Sequence, residues 1–324
     1  MDSETVRAIH NKLNDAREIL IASHIRPDGD AIGSLLGLGL ALQDAGKQVR
    51  MILADGVPAS YRHLEGADQV RTRLEGTFDT FITVDCADFR RIGKPLESLT
   101  PPDINIDHHI TNERFGTLNL IEGDEVATAA ILTKYLPAWG LKITRPVAAA
   151  FLTGIIADTL GFRTSNTTPG ALRQAAALME TGVDMPELYM RALVRRSFPS
   201  VRYWAAGLSK LQQEGGIVWT ALTLADRKTA GYGGSDDADL INIMSSIEGS
   251  QVAMIFIEQA DRHVKVSWRA LGPGIDVSPV ASLFNGGGHA AAAGADIEGS
   301  LEDVQPRVLK ATREMIGLTS HAGA

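Results

Sequence analysis

The stretch Ile104-Asn105-Ile106-Asp107-His108-His109 decides the fold, because an apolar, β-prone run ends there abruptly in a carboxylate and two imidazoles. Two other runs end in the same way. Residues 19–23 lead into His24, Asp28 and Asp30, and residues 80–84 lead into Asp85. Short apolar runs bounded by polar residues read as buried parallel strands, and in open α/β sheets the carboxyl ends of such strands border one crevice. Three acidic or imidazole strand ends are therefore expected at one site. Asp158, closing the run Gly154-Ile155-Ile156-Ala157, is expected to join them from a helix packed beside the sheet.

Working outward, the first part of the chain alternates strand and helix signals, the pattern of a parallel sheet covered on both faces. Strands are expected at 19–23, 48–53, 80–85, 103–107 and 117–121. Helical spacing of apolar residues marks 31–45, 126–135, 146–158 and 170–181. Around 182–199 the pattern becomes more polar and reads as a linker, with Arg195 and Arg196 as solvated hinge residues. Beyond it come structured segments at 217–224, 237–247, 252–258 and 264–270, a glycine turn at 286–288 and a closing helix at 301–316. The expected fold class is α/β: a parallel-sheet N-terminal lobe with flanking helices over 1–182, a linker over 183–200, and a smaller mixed-sheet α/β lobe over 201–324.

Composition limits what such a protein can do. The 324 residues suffice for about two domains of roughly 150 residues each. Hydrophobic residues make up 44% and charged residues 22%, an ordinary globular balance, and the net charge of -8 leaves no broad basic track for a long nucleic acid. Cys86 is the single cysteine, so no internal disulfide can form and a reducing compartment is expected. At its place beside Asp85 it reads as a small buried hydrophobe. No apolar run is long enough for a bilayer, and residues 1–17 show a charged helical pattern without an apolar signal core. A cytoplasmic protein with no membrane partner is expected.

His24, Asp28, Asp30, Asp85, His108 and Asp158 together offer four carboxylates and two imidazoles. This hard donor set suits Mn²⁺, Mg²⁺ or a related divalent ion and contains no thiolate for a structural zinc site. Carboxylates this close raise one another's pKa, so the cluster needs cations. Six side chains exceed what one ion takes while leaving room for water. Two ions sharing a bridging carboxylate are the economical arrangement, Asp85 is the expected bridge, and such a pair clamps an in-line displacement at phosphorus. Each motif has a bland alternative: Asp-Gly-Asp is commonly a surface turn, and a carboxylate opening a helix can merely complement its dipole. The coincidence of three such strand ends favours the metal site.

The series His24-x-x-x-Asp28-Gly-Asp30-Ala31-x-Gly33-Ser34, then Asp85-Cys86-Ala87-Asp88, then Asp107-His108-His109, then Asp158-Thr159 resembles, in order and spacing, the four motifs of the DHH phosphoesterase family. Gly286-Gly287-Gly288-His289 with Ser267-Trp268-Arg269 resembles the substrate-binding signature of the DHH-associated C-terminal domain. The resemblance implies one ion held by His24, Asp28 and Asp85 and a second held by Asp30, Asp85, His108 and Asp158. It leaves His109 outside the ligand set, facing the scissile phosphate, and makes Asp107 the residue that orients the ligand histidine, a usual task for a carboxylate beside a metal site. The implied cofactors are two divalent ions, Mn²⁺ first, with Mg²⁺ or Co²⁺ as alternatives.

In the second lobe, consecutive glycines let backbone N–H groups approach a ligand, and a helix beginning near Ala290 is expected to aim its positive end at a phosphate. A bare triple glycine is more often only a turn. His289 beside it and the resemblance favour the cradle, with Arg269 as a second, bidentate phosphate ligand. Gly33, Gly37 and Gly39 lack the order of a dinucleotide fingerprint and read as close helix packing. Arg163 is divided between an ion pair and a phosphate contact.

The family resemblance implies a two-lobe phosphoesterase in which the bond is cleaved between a metal-binding and a nucleotide-capturing lobe, with His109 polarising a phosphoryl oxygen or assisting the leaving group. Among its subgroups the chain most resembles bifunctional hydrolases of short oligoribonucleotides, of linear dinucleotides such as pApA, and of 3′-phosphoadenosine 5′-phosphate. The alternatives are a cyclic dinucleotide phosphodiesterase, a manganese-dependent inorganic pyrophosphatase, a single-strand exonuclease, for which no basic, aromatic-studded channel is visible, and a nucleotide sensor. A homodimer is compatible with everything above.

Overall fold

The computed structural model describes residues 3–321 apart from Pro273. The chain forms two compact units that divide between Arg195 and Arg196. The first contains α1 (Ser3–Asp15), β1 (Glu18–Ala22), α2 (Gly29–Asp44), β2 (Gln48–Ile52), β3 (Thr80–Val84), β4 (Ile104–Asp107), β5 (Leu118–Ile121), α3 (Thr128–Tyr135), α4 (Arg145–Asp158), α5 (Pro169–Met179) and α6 (Met185–Tyr189). All its strand pairings are parallel, in the order β2-β1-β3-β4-β5. The chain leaves β1 toward β2 on one side and reaches β3 on the other. That reversal opens a crevice at the carboxyl ends of β1 and β3.

Burial follows from the layering. All of β3 and β4 and most of β1 are buried, as strands covered on both faces must be. Helix α2 is buried over almost its whole length against α4, and its glycines make that approach possible. A Cβ on Gly33 would lie 2.4 Å from the Ala150 carbonyl oxygen of α4, and one on Gly37 2.2 Å from the Phe151 ring. A Cβ on Gly39 would meet Met51 of β2 at 2.4 Å. The close-packing account of these three glycines therefore holds.

Residues 183–200, expected as a linker, are helical for most of their length. After α6 comes a π-helical turn, Met190–Val194, and Leu188 and Ala192 are buried in the core of the first unit. Arg195 pairs with Glu187. Arg196 is a correction: its guanidinium, only 15% exposed, pairs with Asp239 at 2.9 Å and lies over the Trp204 ring, so it is not a solvated hinge residue. Burying the long aliphatic stem of an arginine while its head finds a carboxylate is how such a side chain joins a core.

The second unit runs α7 (Phe198–Leu208), β6 (Gln212–Glu214), β7 (Ile217–Leu222), α8 (Leu224–Ala230), α9 (Leu240–Met244), β8 (Val252–Gln259), β9 (His263–Ala270), α10 (Ser278–Ser282), β10 (Gly287–His289), β11 (Ala292–Glu298) and α11 (Leu301–His321). Its sheet has the order β10-β11-β9-β8-β7-β6, with β7 and β8 parallel and the other pairs antiparallel, the mixed sheet expected. One face of this sheet packs Trp268, Phe256 and Val266 against Val304 and Val308 of α11; the other packs Ile255 and Ile257 against Tyr203 and Leu240. Among the described residues no helix is long and apolar enough to cross a membrane.

No helix begins near Ala290. The chain instead turns from β10 straight back into β11, so the expected helical anion site is absent there. The glycines account for this. A Cβ on Gly286 would stand 2.3 Å from the Gly294 carbonyl oxygen, and one on Gly288, whose φ is 146°, 2.4 Å from that of Ala292. The hairpin closes because neither residue has a side chain, and alanines that favour a helix in isolation are drawn into the sheet by the pairing.

Candidate metal centre

His24 follows β1, Asp85 follows β3, and Asp107 ends β4, so the parallel sheet delivers three of the expected groups to one edge. Helix α2 adds Asp28 as its N-cap and Asp30 from its first turn, and α4 adds Asp158 from its last. Three sets of donor atoms come within 4.8 Å of one another: His24, Asp28 and Asp85; Asp30, His108 and Asp158; and Asp85, Asp107, His108 and His109. Two ligands each about 2.1 Å from one ion lie roughly 3–4 Å apart. His24 Nε2 is 3.5 Å from Asp85 Oδ2 and 3.9 Å from Asp28 Oδ2. His108 Nε2 is 3.4 Å from Asp158 Oδ2, 3.7 Å from Asp85 Oδ1 and 3.9 Å from Asp30 Oδ2.

Asp85 thus turns Oδ2 toward His24 and Oδ1 toward His108. Its backbone has φ 53°, a left-handed conformation that aspartate tolerates better than most residues. Its N–H donates to Ile106 of β4 and its carbonyl accepts from the Ser23 hydroxyl, which pins the strand end from both sides. Thr128 Oγ1, at the start of α3, donates to Asp85 Oδ1 at 3.1 Å.

Each remaining donor is also prepared by a neighbour. His24 Nδ1 donates to the Ile25 carbonyl oxygen at 2.9 Å, an acceptor only, so the neutral ring keeps its lone pair on Nε2, the nitrogen that faces the carboxylates. Asp28 Oδ1 accepts from the backbone N–H groups of Asp30 and Ala31 and caps α2, while its Oδ2 faces His24. The bland reading of Asp28 as a cap holds for Oδ1 and leaves Oδ2 turned toward His24 and the other donors. Asp30 accepts from the N–H groups of Thr128 at 2.6 Å and Ala129 at 2.9 Å and from the Ser34 hydroxyl. It caps α3, whose own N-cap residue Ala127 offers no side-chain acceptor.

The electrostatics show why this set calls for cations. Burial, reinforced by Asp85, Asp158 and Asp28, drives the Asp30 carboxyl well above its ordinary range. Burial and the charges of Asp28 and Asp85 do the same to Asp158. Burial also works against charge on Asp85, but its hydrogen bond to His24 and the nearby imidazoles outweigh burial and hold that carboxyl far below the usual range. His24 is raised, because Asp85 and Asp28 overcome the desolvation that disfavours its charged form. Histidines that gain protons and carboxylates that cannot all ionise are competing for positive charge. Divalent ions supply it, and the all-oxygen and imidazole donor set fits them.

Asp107 corrects one implied role. Its Oδ1 accepts from His109 Nδ1 at 2.7 Å and touches His108 only through the backbone N–H at 2.9 Å, so its carboxylate orients the ring of His109, not that of His108. The reason is local: Asp107 is the last residue of β4, and His109, two residues on, folds back over it. Burial disfavours charge on His109, yet Asp107 and Asp85 raise its pKa to about 9. Cys86 is buried as expected, its thiol pushed up to about 12 by desolvation, and it donates to the Asp88 carbonyl oxygen.

Thr128, Ala129 and Asn112 support this site without having been singled out in the sequence, and Ser34, quoted there only as part of a motif, donates to Asp30. Small polar residues at helix starts are too common to signal it. Arg163 is exposed and has no ion pair among the described residues.

In the second unit, Trp268 is fully buried, its Nε1 donating to Thr312 Oγ1 at 3.1 Å. Arg269 lies half-buried beside it, with its pKa lowered by desolvation despite Asp237 and Asp239. The register pairs Ala292 with Arg269 on one side and with His289 on the other, so all three occupy one row across the sheet. The His289 side chain lies outside the described residues. Gly287 is the glycine of the trio against which an added Cβ meets nothing within 4 Å.

Comparison with known proteins agrees with both units. Residues 18–155 match the DHH family, N-terminal domain, and residues 229–317 match the DHHA1 domain. A Thermus thermophilus protein named bifunctional oligoribonuclease and PAP phosphatase NrnA is 39% identical over 304 residues, 91% of this chain and 89% of that one. A Bacillus subtilis protein of the same name is 28% identical over 92% of this chain and 93% of its own length. The crystal structure of an exopolyphosphatase-related protein from Bacteroides fragilis shares the fold, with a TM-score of 0.88 over 97% of this chain and 95% of that one at 23% identity.

Proposed function

Because the chain belongs to the DHH family and carries a DHHA1 domain, and is on that ground a hydrolytic phosphoesterase, we propose that it hydrolyses short oligoribonucleotides and linear dinucleotides such as pApA to mononucleotides, and 3′-phosphoadenosine 5′-phosphate as a second substrate. The observation that carries the reading is Asp85, whose two oxygens stand 3.5 Å and 3.7 Å from the histidines of two separate donor sets. His24, Asp28 and Asp85 are suited to one divalent ion, and Asp30, Asp85, His108 and Asp158 to another, with Mn²⁺ as the first candidate. Such a pair of ions supplies a hydroxide nucleophile at neutral pH and neutralises charge at phosphorus.

The chain's own contribution is placement. Asp107 holds the Nδ1–H of His109, which directs the ring's other nitrogen to donate to a phosphoryl or leaving-group oxygen. Arg269, His289 and the open Gly287 form the group suited to a phosphate away from the scissile bond, since guanidinium binds phosphate in a fork and glycine leaves its N–H accessible. The name shared by the Thermus and Bacillus relatives supports the choice of short RNA and of 3′-phosphoadenosine 5′-phosphate.

Net charge limits substrate length. At -8, each added nucleotide brings repulsion without a basic track to receive it. Hydrolysis of pApA, 3′-phosphoadenosine 5′-phosphate, cyclic di-AMP, pyrophosphate and a 20-mer with Mn²⁺ should show kcat/KM highest for pApA and falling steeply with length. Equal values for pApA and the 20-mer would identify an exonuclease instead, and a preference for pyrophosphate or the cyclic dinucleotide would replace the substrate class.

A further inference from the structure

Some buried polar groups in the parallel sheet are not accounted for by the metal ligands. Thr83 of β3 and Asn105 of β4 are fully buried at paired register positions, where a sheet covered on both faces ordinarily carries apolar side chains. Thr83 Oγ1 donates to Asn105 Oδ1 at 3.2 Å, and Asn105 Nδ2 donates to Asn112 Oδ1 at 3.1 Å. Asn112 Nδ2 donates to Asp107 Oδ2 at 2.6 Å, and Asp107 Oδ1 accepts from His109 Nδ1 at 2.7 Å. Five side chains therefore link the middle of the sheet to the imidazole.

The orientation of the Asn112 amide is decided by its surroundings. Oδ1 also accepts from the Arg114 N–H at 2.7 Å, and Nδ2 also donates to the Cys86 carbonyl oxygen at 3.1 Å. Reversing the amide would set oxygen against two acceptors and NH₂ against two donors. Asp107 is then gripped on both oxygens, Oδ2 by Asn112 and Oδ1 by His109 and the His108 N–H, so its plane cannot turn. A buried network with every member satisfied is rigid, and rigidity at Asp107 becomes orientation at His109.

We propose that Asn112 is a positioning residue for phosphoester hydrolysis, locking Asp107 so that the Nδ1–H of His109 is held and Nε2 is presented to the reacting phosphate. This rests on the role given to His109 above, and it is distinct from a mere anchor for the loop after β4. An anchor would affect folding and metal content; a positioning residue acts only through the ring it positions.

The test is a double-variant cycle on the full chain with Mn²⁺, run on pApA and in parallel on bis(p-nitrophenyl) phosphate. Asn112→Ala should lower kcat about 10–100-fold, the usual effect of losing a partner that supports an active-site group, with bound metal per chain and KM unchanged. In a His109→Ala background the same change should alter kcat by less than about twofold, because no ring remains to be held. Asn112→Asp keeps the shape and the acceptor for Asn105 and Arg114 but turns an oxygen toward Asp107; it should lose at least as much activity, and it carries the test if the alanine variant does not fold. Losses that multiply independently of His109, a fully active Asn112→Asp variant, or loss of bound metal would each overturn the proposal. Wild-type protein that hydrolyses the aryl diester but not pApA defeats the substrate reading alone, and the cycle is then read on the aryl diester.

Discussion

At the carboxyl edge of the parallel sheet, His24, Asp28, Asp30 and Asp85 are each held by a second group, whereas at the β10–β11 hairpin two glycines are required by the backbone that crosses them. The contrast teaches which kind of residue can be read functionally. A buried carboxylate without a partner is costly, so several gathered together with their hydrogen bonds arranged point to a cation. A glycine has no such penalty. Gly286 and Gly288 are explained by packing alone, and only Gly287 remains open to a ligand.

The sharpest way to break the comparison is at Asp85. An asparagine in its place keeps the left-handed backbone, since asparagine tolerates that conformation as well as aspartate, and removes only the charge. Asp85→Asn should lower kcat by roughly 10³-fold or more, beyond the 10–100-fold of residues that merely support a ligand, and should reduce bound metal at both sites. Two ions per chain in an active variant would show that Asp85 is not shared. The next effect is at His109, where alanine should leave metal content intact and reduce kcat by about 10²–10⁴-fold, the usual worth of a proton-donating side chain. Halved metal content would exchange the roles of His108 and His109.

On the hairpin side the expected effects are smaller. Arg269→Ala should weaken kcat/KM for pApA by about 1–3 kcal/mol, the scale of a lost charge-assisted hydrogen bond, and leave an aryl phosphodiester nearly unaffected. Equal loss on both substrates would bring Arg269 to the reacting phosphate itself. Gly288→Ala should lower unfolding stability by about 1–3 kcal/mol, because its Cβ collides with the Ala292 carbonyl at a φ that alanine avoids. Gly287→Ala should change stability by no more than about 0.5 kcal/mol and yet reduce kcat/KM for pApA. If it leaves catalysis untouched, the whole glycine trio is a hairpin device and the contrast becomes complete.

Most of the first unit was legible because its signals are local. The strand expected at 80–85 appears at Thr80–Val84, and the helix expected at 146–158 at Arg145–Asp158, since apolar periodicity and an abrupt polar ending depend on neighbours in sequence. The hairpin was not legible. Ala290 to Ala293 carries good helix formers, but pairing of β11 with β9, as of Ala292 with Arg269, decided its conformation, and such pairing joins strands that are not neighbours in the chain. Arg196 misled for a similar reason, its carboxylate partner lying 43 positions away at Asp239.

By itself the sequence determined the donor chemistry, the order of strands and helices that brings it to one edge, and the family motifs. These are properties of residue type and spacing, which no tertiary rearrangement alters. Only the tertiary structure decided that Asp107 serves His109, that Asp30 caps a helix to which it does not belong, that Asp28 caps with one oxygen while the other faces His24, and that Asn112 closes a network reaching Thr83. Each of those depends on where a lone pair meets an N–H within about 3 Å, and that meeting is set by how strands register and helices dock, not by which residues the chain contains.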